Sequence, residues 1–452
     1  MDKFDKLNIN KAWEILFERH DILNKIEKEG FWKIEANQIR TVKEPRLMAK
    51  FDHFANLPKI FSDNALSILP ITRGSYIIGH FMTYHTIESD VDNVSIQRMY
   101  LPEYLQSINS SRITSEAAAL NCAYASGIIA DFLKEDNIIP SVSGRSGSGS
   151  FNFIIDIDKD NIDKDNTNKC HSIQRIFVSK SQIEIDAGYE GKDSLSLIEA
   201  KLDLSDDFLI RQLYYPYRVW KNSICKPIRS IFFVYSNGIY YLYEYIFQNT
   251  EYYNSLKLIK FKKYSIESTD ISFADIEAIM QKTALFDEPK LPFPQADKFE
   301  RVINICELLV TKDLSFNEIT ANYAFTGRQT GYYTNAAIYL GLICKYCSLD
   351  EIDNSRMITY RLTKKGRSIM SLSYKERQLA FCNLIFQHKV YRLVFEIFLK
   401  NDKTLPSKKE IIDIMRISNL YEIDSFSTFK RRSSTVKKWI EWIINLTNKN
   451  TL

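Results

Sequence analysis

The sequence predicts an α/β protein: a mixed sheet with flanking helices over roughly the first two thirds, then an α-rich last third. Three observations predict it. Short apolar stretches of strand length surround a long alanine-rich helical pattern up to about residue 263. Three prolines fall in "FDEPKLPFPQAD", residues 286 to 297, and mark a boundary. Beyond them apolar residues recur mainly at helical spacing.

Taken in order, residues 1 to about 40 read as helical, "NKAWEILFERHDILNKIEKEGFW". Between 44 and 100, "LSILPI" and "GSYIIGHFMTY" read as short strands. A helix is expected from Ser111 or Thr114 to Lys134, where Leu120, Tyr124, Ile128 and Phe132 recur every four residues. Strands follow at about 139–143, 151–157, 173–178 and 181–187, then Leu195–Lys201. A helix from about Asp206 to Lys221 and strands at 229–236, 239–247 and 255–263 complete this part.

Past the prolines, "DKFERVINICELLV", "SFNEITANYAF" and "GRQTGYYTNAAIYLGLI" give three helices, and "SRMITYRLTKKGRSIM" gives a two-stranded hairpin. That set of elements makes a winged helix-turn-helix module. A last unit ends in "FSTFKRRSSTVKKWIEWIINL", with Phe429, Val436, Trp439, Ile440 and Ile443 on one side and Arg431, Lys437 and Lys438 facing out. The organisation expected is a DNA-contacting helical/β region at 1–100, a core at 101–285, a winged helix domain at 297–373 and a basic helix-turn-helix-like unit at 374–452.

Composition narrows the function classes. The 452 residues are 45% hydrophobic and 26% charged, ordinary for a globular protein of two to four domains. No run approaches the roughly 18 to 20 apolar residues of a membrane span, and "MDKFDKLNIN" has no signal-peptide pattern. A soluble, cytoplasmic protein is expected. Seven cysteines, an odd number, fit reduced thiols, and the lone pair Cys344 and Cys347 lacks the second ligand pair zinc needs. Six isolated histidines argue against His-metal hydrolases. No GxxxxGK[ST] occurs, which excludes an ATP-driven motor within this chain. "DIDKDNIDKDNT" from Asp156 lacks the glycine (Asn161) and glutamate (Thr167) of a calcium loop and reads as an acidic turn. Net charge is only +4, yet residues 403 to 452 hold ten Lys/Arg against five Asp/Glu. A local basic surface of this kind suits nucleic acid, as it also suits a solvated helix face.

The chemistry concentrates in "SLIEAKLDLSDDFLIRQLYYPYR", residues 196 to 218. An apolar strand ends by placing Glu199 and Lys201 two residues apart, on one face. Upstream, "SQIEIDAGYEG" alternates Ile183 and Ile185 with Glu184 and Asp186. Two such strands diverging at a sheet edge would gather two carboxylates and an ammonium. A pair of carboxylates with open positions suits Mg²⁺, and a lysine beside them can stabilise charge developing on a phosphoryl group. An edge strand with a surface ion pair is the plainer reading of the same pattern.

These residues carry a resemblance. "EIDAGYEGKDSLSLIEAKLDLSDDFLIRQLYYPYR" resembles the catalytic core of the PD-(D/E)xK nuclease superfamily, and more narrowly that of type II restriction endonucleases with a winged-helix C-terminal half. "EPRLMAKFDHFANLP", "ILPITRGSYIIGHF", "TGRQTGYYTNAAIYLGLI" and "YRLTKKG" also look like stretches recurring in such enzymes, so the likeness runs from about residue 44 onward. It implies a restriction-endonuclease-like α/β core, with Asp186 and Glu199 as metal ligands and Lys201 as the catalytic lysine. Ile185 stands where the pattern has proline, and Glu184 is a second candidate for the first acid. The resemblance further implies a glutamate on the helix before the core, matched by Glu116, and a site-orienting glutamine, matched by Gln212. An acid favouring the helix dipole and an ordinary surface amide are the plain readings of those two.

Contacts to DNA are expected elsewhere. "SGRSGSGSFNFII" sets small residues around Arg145, in a loop able to approach phosphate or simply a mobile hairpin. The third helix past the prolines offers Arg328, Gln329, Tyr332 and Asn335, with Arg431 and Arg432 on the last helix. The function expected is Mg²⁺-dependent, sequence-specific hydrolysis of double-stranded DNA in a restriction–modification system, by a homodimer alongside a methyltransferase protecting the same site. A non-catalytic winged-helix regulator and a modification-dependent endonuclease are the alternatives.

Overall fold

The computed structural model describes residues 8–88, 94–110, 113–158, 172–322, 325–349 and 356–447. The fold is mixed α/β, and its centre is a seven-stranded mixed sheet. In spatial order the strands are Ile96–Arg98, Leu256–Ser265, Ile239–Phe247, Ile228–Ser236, Leu195–Lys201, Gln182–Glu190 and Ile139–Gly147. Leu195–Lys201 runs parallel to Ile228–Ser236 and antiparallel to Gln182–Glu190.

Every residue of Leu195–Lys201 is buried, because both faces of the sheet are covered. Leu195 and Leu197 pack towards Leu213 and Tyr214 of helix Arg211–Lys221 and towards Phe151 and Phe153 of the Ser150–Ile157 strand. Ile198 and Ala200 pack on the opposite face, against Ala119, Leu120 and Phe132 of helices Glu116–Ala125 and Ile128–Leu133. Buried Leu and Ile side chains are worth roughly 1.5–3 kcal/mol each, enough to fix this strand centrally. Arg218 secures the helix on one face: its Nη1 donates to the carbonyls of Asn152 (2.8 Å) and Thr250 (3.0 Å).

The helix expected up to Lys134 is two helices, started by Ser115, whose Oγ accepts from Ala118 N, and broken at Gly127 with φ of +76°. Ser111 lies outside the described residues, as does most of the acidic stretch after Asp156. The helix expected from Asp206 begins at Arg211, because Asp207–Leu209 pairs as a strand with Tyr84–Thr86. Near the N-terminus the helices Ile9–His20 and Ile22–Glu29 stop at Gly30, and Phe31–Glu35 is a strand on Ser75–Gly79. With helices Pro45–Ala49 and Lys59–Asp63 these elements enclose a separate apolar cluster running from Ala12 to Ile78.

The C-terminal part contains helices Phe299–Leu308, Phe316–Asn322 and Gly327–Tyr339, near their expected bounds. The hairpin pairs Ile343–Leu349 with Arg356–Leu362, so its first strand lies upstream of the expected one. "KKGRSIM" is instead the helix Lys364–Met370, capped by Thr363 and packed so closely that a Cβ on Gly366 would meet the Leu342 carbonyl oxygen at 2.1 Å. Helix Phe273–Lys282 was not legible; its Ile276 and Met280 join the C-terminal cluster across the proline-rich stretch. On the last helix, Phe426–Asn445, the five expected apolar residues are buried while Arg431, Lys437 and Lys438 are exposed. Cys344 and Cys347 sit three residues apart on one strand and therefore project from opposite faces, which separates them as joint ligands. Among the described residues no helix is long and apolar enough to cross a membrane.

Candidate active site and basic groove

The strands Gln182–Glu190 and Leu195–Lys201 pair from Leu195↔Glu190 to Ile198↔Ala187, and there they part. At the divergence the Ala200 N–H donates to the carboxylate of Asp186 (2.8 Å) instead of to a backbone carbonyl. One step further, Lys201 Nζ donates to Glu199 Oε1 at 2.6 Å, and both residues are 8% exposed. Gln212, in the first turn of the helix over this face, donates from Nε2 to the same oxygen at 2.5 Å. Strand periodicity puts Glu199 and Lys201 on one face, and the parting of the strands brings Asp186 to them.

These groups line a cleft of about 580 Å³ that also receives Glu116 from the start of its helix. Burial pushes the carboxyls of Glu199, Asp186 and Glu116 upward, and the Lys201 ammonium opposes the rise at each. Burial would lower Lys201, but the carboxylates of Glu199, Asp52 and Glu116 outweigh it and hold the ammonium charged. Glu184 reaches the cleft rim but its Oε1 accepts from Arg145 Nε at 3.0 Å, with both side chains about half exposed. Arg145 itself lies on the edge strand Ile139–Gly147 and not in a loop: antiparallel pairing with Gln182–Glu190 supplies its backbone partners, with register shifts around Val142.

Among the described residues no three His, Cys, Asp or Glu side chains form a ready-made cage. Mg²⁺ does not require one, since it takes one or two carboxylates, keeps several waters and accepts substrate phosphate oxygens. Asp186 and Glu199 meet that requirement, with Glu116 across the cleft. Two buried oxygens at the site, Gln212 Oε1 and Asp52 Oδ1, have no hydrogen-bond partner among the described residues, so the cleft holds acceptor capacity beyond what these side chains use.

Residues without a role in the sequence reading complete the walls: Arg46, Lys50, Asp52 and His53 from the N-terminal unit, Arg211 beside Gln212, and Glu307. The stretch "EPRLMAKFDHFANLP" signalled this segment, but nothing in its composition said which of its side chains face the cleft.

A second concavity lies in the C-terminal part. A groove of about 490 Å³ brings Gln329 and Tyr332 of helix Gly327–Tyr339 together with Lys408, Lys430 and Arg431. Arg328 and Asn335 are exposed on the same helix, with Arg328 Nε donating to Tyr332 OH at 2.6 Å. Gln329 is engaged in the N-terminal capping box with Thr326, and Arg432 is partly buried, its Nε without a hydrogen-bond partner among the described residues.

Three family models match the chain, each described as a domain of unknown function: DUF6996 over residues 10–78, DUF6997 over 79–265 and DUF7226 over 301–448. The first coincides with the N-terminal apolar cluster, the second spans the seven-stranded sheet and the third covers the helical part. No curated protein and no solved structure matches the chain.

Proposed function

We propose that the protein is a metal-dependent deoxyribonuclease of the PD-(D/E)xK kind, acting as a type II restriction endonuclease on double-stranded DNA. One observation carries the reading: a buried Glu199–Lys201 pair at the end of a central strand, opening on a cleft that also holds Asp186. Stability does not explain it. Removing two charges from water costs several kcal/mol per ion, and apolar residues in their place are often as stabilising. The pair makes sense if the cleft binds a charged substrate.

Asp186 and Glu199 would hold Mg²⁺, whose chemistry is to polarise the phosphodiester and make a bound water more acidic. The chain's own residues do the rest. Glu199, itself held by Gln212, holds Lys201, whose ammonium stabilises the charge growing on the phosphoryl oxygens as water attacks in line. Gln212 fixes the Glu199 carboxylate through one oxygen and leaves the other for the ion. The products carry 5′-phosphate and 3′-hydroxyl ends.

The three helices and hairpin after Asp297 are read as a winged helix, with the basic groove and Arg328, Tyr332 and Asn335 holding the duplex. Cutting both strands calls for two centres, from a homodimer or a transient pairing on the DNA, in a cell whose methyltransferase protects the same sequence. Purified protein incubated with mixed-sequence DNA and Mg²⁺ should give discrete fragments, abolished by EDTA. A mobility shift without cutting under both conditions would instead make it a DNA-binding regulator. Cutting confined to methylated DNA would make it modification-dependent.

A further inference from the structure

The N-terminal unit forms one wall of the cleft, and its contacts there are specific. His53, 3% exposed, places Nδ1 2.9 Å from the Asp207 carbonyl and Nε2 3.4 Å from the Asp203 carboxylate. The Phe54 N–H donates to Asp207 Oδ2 at 3.2 Å, and Tyr84 OH donates to the Phe51 carbonyl at 2.8 Å. Asp203 and Asp207 belong to the segment that immediately follows Lys201, so this clamp joins the N-terminal unit to the end of the central strand. Separating the two would leave a buried imidazole without its acceptors.

Asp52 is what the clamp presents to the cleft. Its Oδ2 lies 3.9 Å from Lys201 Nζ and 3.8 Å from Lys50 Nζ, while its Oδ1 is buried with no hydrogen-bond partner among the described residues. An ammonium on a flexible four-carbon stem has three donors, and one acceptor does not fix its direction. Glu199 supplies the first acceptor, at 2.6 Å, and Asp52 stands nearby as a second anion.

We propose that Asp52 is a positioning residue for Lys201, supplied by the N-terminal unit and locked by His53, so that the centre is complete only when the unit of residues 10–78 is docked. The proposal rests on the nuclease reading. It explains why a segment remote in sequence is tied through His53 and Phe54 to the residues after Lys201, and why a half-buried carboxylate faces an ammonium that Glu199 already pairs.

The test uses the full chain, with Asp52→Asn and Asp52→Glu compared in single-turnover DNA cleavage, in DNA affinity measured in EDTA, and in thermal unfolding. Asp52→Asn keeps the shape and removes the charge. It should slow cleavage roughly ten- to a hundredfold, the cost of a misplaced catalytic group. DNA affinity should not fall, since an anion is removed from a DNA-facing cleft, and Asp52→Glu should recover part of the rate. Wild-type cleavage by Asp52→Asn, with Lys201→Ala inactive, overturns the proposal and leaves the nuclease reading standing. A rate loss matched by a lowered unfolding temperature and not relieved by Asp52→Glu also overturns it, in favour of a packing role. A wild-type chain that cuts no DNA with Mg²⁺ or Mn²⁺ overturns the reading itself, and the proposal with it.

Discussion

At the cleft, Glu199 and Lys201 are 8% exposed and each is bonded to a neighbour fixed by sheet or helix packing. At the groove, Lys408, Lys430 and Arg431 stand exposed on helices, within reach of solvent and of whatever enters. The contrast separates two uses of charge. A buried charge has lost its water and gains only from partners held at fixed distances, so it suits chemistry that needs direction. An exposed charge is hydrated and screened, so it suits attraction over several ångströms and tolerates many geometries. If the contrast is right, changes at the cleft alter rate, and changes at the groove alter affinity.

The largest effect should come from the cleft. Lys201→Ala is expected to reduce single-turnover cleavage by roughly 10²–10³-fold with DNA binding in EDTA retained. A variant that cuts at the wild-type rate would remove the cleft from the chemistry. Asp186→Asn should be similarly inactive. Glu184→Gln should stay within roughly fivefold of wild type, because its bond to Arg145 is a half-exposed surface pair. Measuring these two side by side decides which acid belongs to the centre; the reverse order of activities would move the site two residues along the strand, to Glu184.

The difference between those two acids also shows where sequence reading ran out. Alternation along "QIEID" put both Glu184 and Asp186 opposite Ile183 and Ile185, and nothing in a period of two ranks them. What ranks them is the point at which two strands stop pairing, a tertiary feature expressed in the Ala200 N–H to Asp186 bond. The Leu195–Lys201 strand was fully legible, since an apolar run bounded by charges is local information. The Asp52–His53 clamp was not, because its partners, Asp203 and Asp207, lie some 150 positions away. Arg145 was misread for a similar reason: a glycine- and serine-rich stretch has low strand propensity by itself, and pairing with Gln182–Glu190 overrides that. Helix Phe273–Lys282 buries only Ile276 and Met280, too few apolar positions for a helical period to stand out.

At the groove the expected effect is smaller and of a different kind. Replacing Lys430 and Arg431 together by Ala should weaken DNA binding across sequences and lower the slope of log affinity against log salt by about two. The cleavage rate of DNA already bound should not move. Titrations at several salt concentrations, followed by single-turnover assays at saturating protein, check both halves. A changed rate at saturation would mean that the groove takes part in assembling the cleft.

The smallest effect concerns the clamp between the N-terminal unit and the sheet. Burial alone would lower the His53 pKa, but hydrogen bonds to Asp203 and Asp207 raise it from 6.5 to about 10. A group held above its unfolded value stabilises the fold fully below that value and loses its contribution as pH climbs towards the folded one. Between pH 6.5 and about 10, therefore, this clamp should weaken steadily. The urea midpoint of the wild-type chain should fall across that window. His53→Gln, which keeps a donor but cannot charge, should start lower and change less. Parallel curves for the two proteins would show that the imidazole is neutral in the folded chain, and that the clamp is held by neutral hydrogen bonds alone.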